Sequence, residues 1–387
     1  MKELNNMSRL VAILPRNSAA NIVETVLTEA TSHAMIYPAR GTLVRERWYQ
    51  KFLPVISPEQ EHVLMLLPND KIEEVIYRLI EVSNLRQNGA GAVMVTPCRH
   101  FSCGDKYAPW PSDLPADAPQ EPEPSEYDLW AINYIAQPEQ SDQICKAAID
   151  AGAHGPSINY CEGRGLRDQL LLLRLTREQT KEAMTVITDS IGVDGIFESM
   201  VEAAQPNLPG RGIMYKVPVS KGMVNLPGIF SHARNSASMQ QIVRALDTLT
   251  GNNNWRDQGI VDFSLDGKAA GLNFINHLVY RVDDEEPHSS FHIALDRSQE
   301  DDMKDFLLKE VGVYGLTVTH CMFVGQEYKN RSALSHNHQE RSIIKTIVKN
   351  TTANTIKHLL NKYAEENSVE DICFFSVPVK DVLTYSR

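Results

Sequence analysis

No stretch of this 387-residue sequence comes near the roughly 20 consecutive apolar residues that a membrane-spanning helix needs, so membrane insertion is not expected. A basic excess is missing as well. With 38 Lys and Arg against 49 Asp and Glu the formal net charge is −11, which excludes the electrostatic footprint of non-specific nucleic-acid binding. Part of that acidity is local: Asp113, Asp117, Glu121, Glu123 and Glu126 fall in a span without Lys or Arg. The six cysteines are scattered and form no secreted disulfide framework. The opening "MKELNNMSRLVAILP" lacks the continuous apolar stretch and small-residue site of a signal peptide. The expectation is a reduced, cytoplasmic protein. Nucleophile elbow, Walker loop and His-Glu-x-x-His are also missing, which points to binding rather than turnover, hence not an enzyme.

What is present is a repeat. Hydrophobic residues make up 42% of the chain, enough for a sizeable core, and similar apolar runs return three times in the same order. The first set is "RLVAILP", the helical "SAANIVETVLTEATSHA", "MIYPAR", "HVLMLLP", "NDKIEEVIYRLIEVS" and "GAVMVTP". In its second helix Ile72, Val75, Ile76, Leu79 and Ile80 share one face, with Asn69 or Asp70 as N-cap. The second set runs "YDLWAINYIA", "PEQSDQICKAAIDAGA", "SINYCEG" and "QLLLLRL", after which Thr176 and Gln179 make a capping box for the next helix. The third runs "FHIALD", "QEDDMKDFLLKEVG", "LTVTHCMFV", "SIIKTIVK", "TANTIKHLLNKYAEE" and "DICFFSVPV".

Each set reads as β-α-β-β-α-β, the ferredoxin-like order. Its strands are apolar on both faces, so each sheet must bury its second face against something. The fold class expected is therefore α+β: three tandem ferredoxin-like repeats forming an intramolecular pseudo-trimer. The boundaries are 9–101 for the first repeat, 102–126 for an acidic Pro-rich linker, 127–222 for the second repeat, 223–290 for an insertion that fits no repeat, and 291–387 for the third.

Short motifs carry a resemblance to the PII signal-transduction family. "LTVTHCMFVGQ" and "FFSVPVKDVL" are similar to that family's second strand with its loop entry and to its last strand. "YCEGRG" resembles the start of its T-loop, and "PNLPGRGIMYKVPV" its phosphate-binding B-loop; "ARGT" and "NGAGAVMVTP" occupy the same places in the first copy. The resemblance implies clefts between neighbouring copies, an adenine nucleotide as effector with no cofactor required, and a protein partner (a transporter, enzyme or regulator) gripped by a loop. It also implies a monomeric pseudo-trimer, with a further homo-oligomer left open.

Glycine before a strand permits φ > 0 and close approach of backbone N–H groups to an anion. Gly89 and Gly91, and Gly210, Arg211 and Gly212, are the candidates for this cradle, with Gly41, Gly163, Arg164 and Gly165 as opposing walls. The alternative reading is a tight turn feeding a strand. The family's lysine after the second glycine is absent here, where Ala92 and Ile213 stand, and the third copy has only Glu370 and Asp371. The first copy's long loop sets Arg47, Trp48, Tyr49 and Phe52 together, an arrangement suited to a partner interface. "CRHFSC" places Cys98, His100 and Cys103 close in sequence, candidates for a metal or a redox pair. Two rival functions follow: a scaffold without ligand, or a metal-handling protein resembling the copper-tolerance trimers.

Overall fold

The structure, a computed structural model, describes residues 1–27, 33–42, 59–87, 89–104, 128–164, 180–226, 286–313, 315–325 and 339–384. In chain order the elements are β1 (Lys2–Glu3), β2 (Met7–Pro15), α1 (Ala19–Val26), β3 (His33–Gly41), β4 (Glu59–Pro68), α2 (Ile72–Val82), β5 (Gly91–Pro97) and β6 (His100–Cys103). There follow β7 (Leu129–Ala136), α3 (Ser141–Asp150), β8 (Ser157–Arg164), β9 (Thr180–Asp189), α4 (Val193–Ala204), β10 (Ile213–Val219) and β11 (Lys221–Asn225). The last group is β12 (His288–Asp296), α5 (Glu300–Phe306), β13 (Leu316–Gly325), β14 (Gln339–Lys349), α6 (Asn350–Glu366) and β15 (Ile372–Thr384). The fold is mixed α/β and dominated by antiparallel sheet.

Strand pairing follows one rule three times. The last strand of each segment lies beside its first, the first beside the third, and the third beside the second. The orders are β5-β2-β4-β3, then β10-β7-β9-β8, then β15-β12-β14-β13. Alternation along these strands divides their side chains between two cores. Leu10, Ala12 and Leu14 face α1 and α2, while Val11 and Ile13 face the other way. The same split gives the second segment Ile132 and Tyr134 on the helix side, and the third Phe291 and Ile293. The inward faces of all three sheets meet in one shared cluster that includes Val11, Ile135 and Ala294. A sheet apolar on both faces has thereby found its second cover.

Two further sets of ladders join the segments. The second strands form a closed ring, with β3 on β8, β8 on β13 and β13 on β3. In addition, the chain beyond each last strand reaches onto a neighbour's last strand. β6 pairs with β15, β11 with β5, and the end of β15 with β10. Ion pairs reinforce these seams. Arg40 meets Glu182 at 3.3 Å and Asp142 at 3.1 Å, Lys216 meets Asp381 at 2.6 Å, and Lys357 meets Glu3 at 2.9 Å.

Two local expectations are corrected. The third strand of the second segment is Thr180–Asp189, where the sequence reading began a helix. The β-branched run Thr185-Val186-Ile187-Thr188 wins there, because it fits a pleated surface better than a helical one; "QLLLLRL", Thr176 and Gln179 lie outside the described residues. Asn69 is not an N-cap through its side chain, since a 3-10 turn over Asn69–Lys71 precedes α2. Asn69 Oδ1 instead accepts a hydrogen bond from Ser8 at 2.7 Å.

Candidate functional site

The two glycine turns are built alike. Gly89 and Gly91 have φ of +87° and +138°, and Gly210 and Gly212 have +79° and +108°. A Cβ on Gly91 would stand 2.1 Å from the carbonyl oxygen of Ile13, and one on Gly212 would stand 2.0 Å from that of Ile135. Glycine is needed at both for conformation and for closeness to the first strand. Several backbone donors in the turns are already engaged. The Gly89 N–H donates to Asn225 O at 3.1 Å, Ala90 to Gln87 O at 3.1 Å and Arg211 to Leu208 O at 3.2 Å. The Arg211 carbonyl accepts from the Tyr134 hydroxyl.

The third segment solves the same turn with charge. Aligning Val217-Pro218-Val219 with Val377-Pro378-Val379 puts Glu370 in the place of Gly210 and Asp371 in that of Arg211. The Arg341 side chain, 2% exposed, donates to Asp371 Oδ2 at 2.5 Å and to the Asp371 carbonyl at 3.2 Å. Its guanidinium also lies 4.5 Å from the ring centre of Phe323.

The expected walls reach the same seams as the turns. Gly41 pairs with Ser157 across the seam of the first two segments, where Thr42 Oγ1 donates to Pro156 O at 3.0 Å, and Gly89 and Gly91 meet β11 at that seam. Gly163 pairs with Thr317, and the Arg164 backbone with Leu316, across the seam of the second and third segments. Gly212 meets the tail of β15 there, its carbonyl accepting from Thr384 Oγ1 at 3.1 Å. The Arg164 side chain, Gly165 and the loop residues Arg47, Trp48, Tyr49 and Phe52 lie outside the described residues.

A third feature sits where the inner faces converge. A cavity of about 60 Å³ is lined from all three segments, with Arg9, Tyr37 and His62 from the first, Asn133, Asn159 and Tyr215 from the second, and His292, Thr319 and Lys345 from the third among its walls. Arg9 is 8% exposed, its Nη2 donates to Thr96 Oγ1 at 3.4 Å, and its Nε has no hydrogen-bond partner. Burial pushes its pKa below the ordinary guanidinium value. Burial, with the Lys345 charge assisting, lowers His62 to about 4; burial, Arg9 and Lys345 hold His292 well below the usual imidazole range. His62 Nε2 lies 2.7 Å from Ser157 Oγ, and His292 Nε2 lies 2.8 Å from Ser290 Oγ. Sequence reading passed over these residues. The available signal was a polar side chain on the inner face of an otherwise apolar strand, as with Arg9 in "RLVAILP" and Lys345 in "SIIKTIVK".

No family model and no curated protein matches this chain. Among solved structures, citrate-bound PII of Arabidopsis thaliana is similar over 27% of this chain and 94% of its own, at 14% identity and a TM-score of 0.21. The ligand-free regulatory subunit of aspartate kinase from Thermus thermophilus is similar over 52% and 94%, at 11% identity and 0.20. A microcompartment protein from Desulfitobacterium hafniense is similar over 59% and 99%, at 11% identity and 0.17. Scores of this size carry no assignment of function.

The Cys/His motif lies on β6 and the link that leads into it from β5. Cys98 donates its backbone N–H to Met7 O at 2.9 Å, and burial pushes its thiol up to about 12, which keeps it protonated and inert. His100 lies opposite Ser376, and Cys103 opposite Cys373. Burial lowers the His100 imidazole. All six cysteines are free, and among the described residues no three His, Cys, Asp or Glu side chains group to hold a metal. Nor is any described helix long and apolar enough to cross a membrane.

Proposed function

We propose that this chain is a PII-like regulatory protein, three tandem ferredoxin-like copies closed into a pseudo-trimer, that binds a small anionic effector at two of its three seams. The effector class is an adenine nucleotide or a related anion. The protein acts in the cytoplasm by binding rather than turnover, and signals to a protein partner through the segment that follows Gly41. The observation that carries the reading is the inequality of the seams: two hold a glycine turn at positive φ, whereas the third holds the Arg341–Asp371 ion pair in its place. Arg211, half-buried in the second turn, supplies a cation for the effector there.

Thermal unfolding of the full chain with ATP, ADP, AMP, cyclic AMP and 2-oxoglutarate, with and without magnesium, tests this. A bound effector at 100 times its dissociation constant stabilises by about 2.7 kcal/mol. The shift should shrink in Arg211→Glu, which reverses the charge of the second turn while sparing its glycines and leaves the seam of Gly89 and Gly91 intact. A flat response across the panel would sink the sensor reading and leave a scaffold. The occupied N–H groups of Gly89, Ala90 and Arg211 favour that second reading.

A further inference from the structure

The ring of second strands places Tyr37, Asn159 and Thr319 at matching positions, each paired across its ladder with a lining residue of the third strand, His62, Ala183 or Ile343. The cavity therefore lies where the inner faces of the three segments meet, and none of Gly89, Gly91, Gly210, Arg211 and Gly212 is among its lining residues. Among the described residues that line it there is no Asp or Glu, and two carry basic side chains, Arg9 and Lys345. Their fields converge, since both depress His292. The other polar walls are neutral: the hydroxyls of Tyr37, Tyr215, Thr185 and Thr319, two amides, and two imidazoles held uncharged.

Arg9 is buried and Lys345 half-buried, and a charge withdrawn from water costs several kcal/mol unless a counter-charge meets it. No protein carboxylate is placed to meet Arg9 among the described residues: the groups acting on its charge are Cys98, Tyr215 and Tyr37. A guanidinium with an unpartnered Nε and a lysine ammonium suit an anion with several oxygens, the fork for two of them and the ammonium as a point charge. Size restricts the choice. A water needs about 10–15 Å³ of such space, so about 60 Å³ holds four or five waters, or one compact anion of about five heavy atoms. A nucleotide does not fit.

We propose that the axial cavity binds one small tetrahedral oxyanion, of the inorganic phosphate or sulfate class, between Arg9 and Lys345. The ligand bridges the first and third segments and neutralises the two cations at the centre of the ring. This inference does not rest on an effector at the seams.

The test is thermal unfolding and titration calorimetry of the full chain with inorganic phosphate and with sulfate at constant ionic strength, starting from protein exchanged into a buffer without oxyanions. The wild type should bind one anion per chain with a rise in melting temperature. Lys345→Met should weaken that binding at least tenfold. In the oxyanion-free buffer Lys345→Met should melt no lower than wild type, because among the described residues no carboxylate pairs with that ammonium, which lies 5.9 Å from the ring centre of Tyr215. Arg9→Met is the second variant and should behave alike. Arg211→Glu, at the seam, should keep the full phosphate response. No binding to wild type, or equal binding by wild type and both methionine variants, would overturn the proposal.

Discussion

Arg341 and Asp371 form a pair in which the base is buried and the acid stands where the second segment has Arg211. Removing one partner of such a pair leaves a buried charge without compensation. Asp371→Ala should destabilise the protein by about 3 kcal/mol. The double variant Arg341→Met with Asp371→Ala should recover much of that loss, and a double-mutant cycle in urea measures the coupling. If the double variant falls as far as the sum of the singles, the pair is not the unit described.

The glycines should separate by environment. Alanine at Gly91 or Gly212 meets a backbone oxygen at 2.1 or 2.0 Å in a conformation that L-residues avoid, and should cost about 3 kcal/mol. Gly195 lies inside α4 with nothing within 4 Å of an added Cβ. Gly195→Ala should therefore stabilise by about 0.5–1 kcal/mol, seen as a higher urea midpoint at unchanged slope.

Acid should weaken the fold before its carboxylates titrate. Burial lowers His33 to about 3 and His62 to about 4, and His292 well below its ordinary value. These groups stay neutral in the fold while the unfolded chain takes up protons below about pH 6.5. Their contribution is complete above that pH and is lost as pH falls toward 4, at about 1.4 kcal/mol per unit for each histidine. Urea unfolding at pH 7.5 and 5.5 should show the decline, and His62→Gln should reduce its slope by one proton. A pH-independent midpoint over this range would contradict the burial of these imidazoles.

The rhythm of strands and helices was legible because burial on both faces writes long apolar runs, such as "HVLMLLP" and "CFFSVPV", that stand out from polar surroundings. β9 was not, since "TKEAMTVITD" mixes charge with β-branched residues and sits after a spacing that mimics a capping box. Short edge partners such as β1, β6 and β11 carry little pattern of their own; β6 and β11 are placed by a neighbouring segment's last strand, and β1 by β6. The glycine turns were visible, but not that their tightness answers the carbonyls of Ile13 and Ile135. Nor could local spacing reveal that Arg9 and Lys345, at opposite ends of the chain, line one cavity.

The closed ring of β3, β8 and β13 has a consequence for what evolution can place at its centre. Three identical subunits would repeat every axial side chain, so one lysine would bring two more and a lone cation would be forbidden by symmetry. Here Leu64, Thr185 and Lys345 take corresponding places, opposite Val11, Asn133 and His292 on the respective first strands. Covalent linkage frees each of the three positions to mutate by itself, and a number of charges that is not a multiple of three, such as the two of Arg9 and Lys345, becomes attainable at the axis.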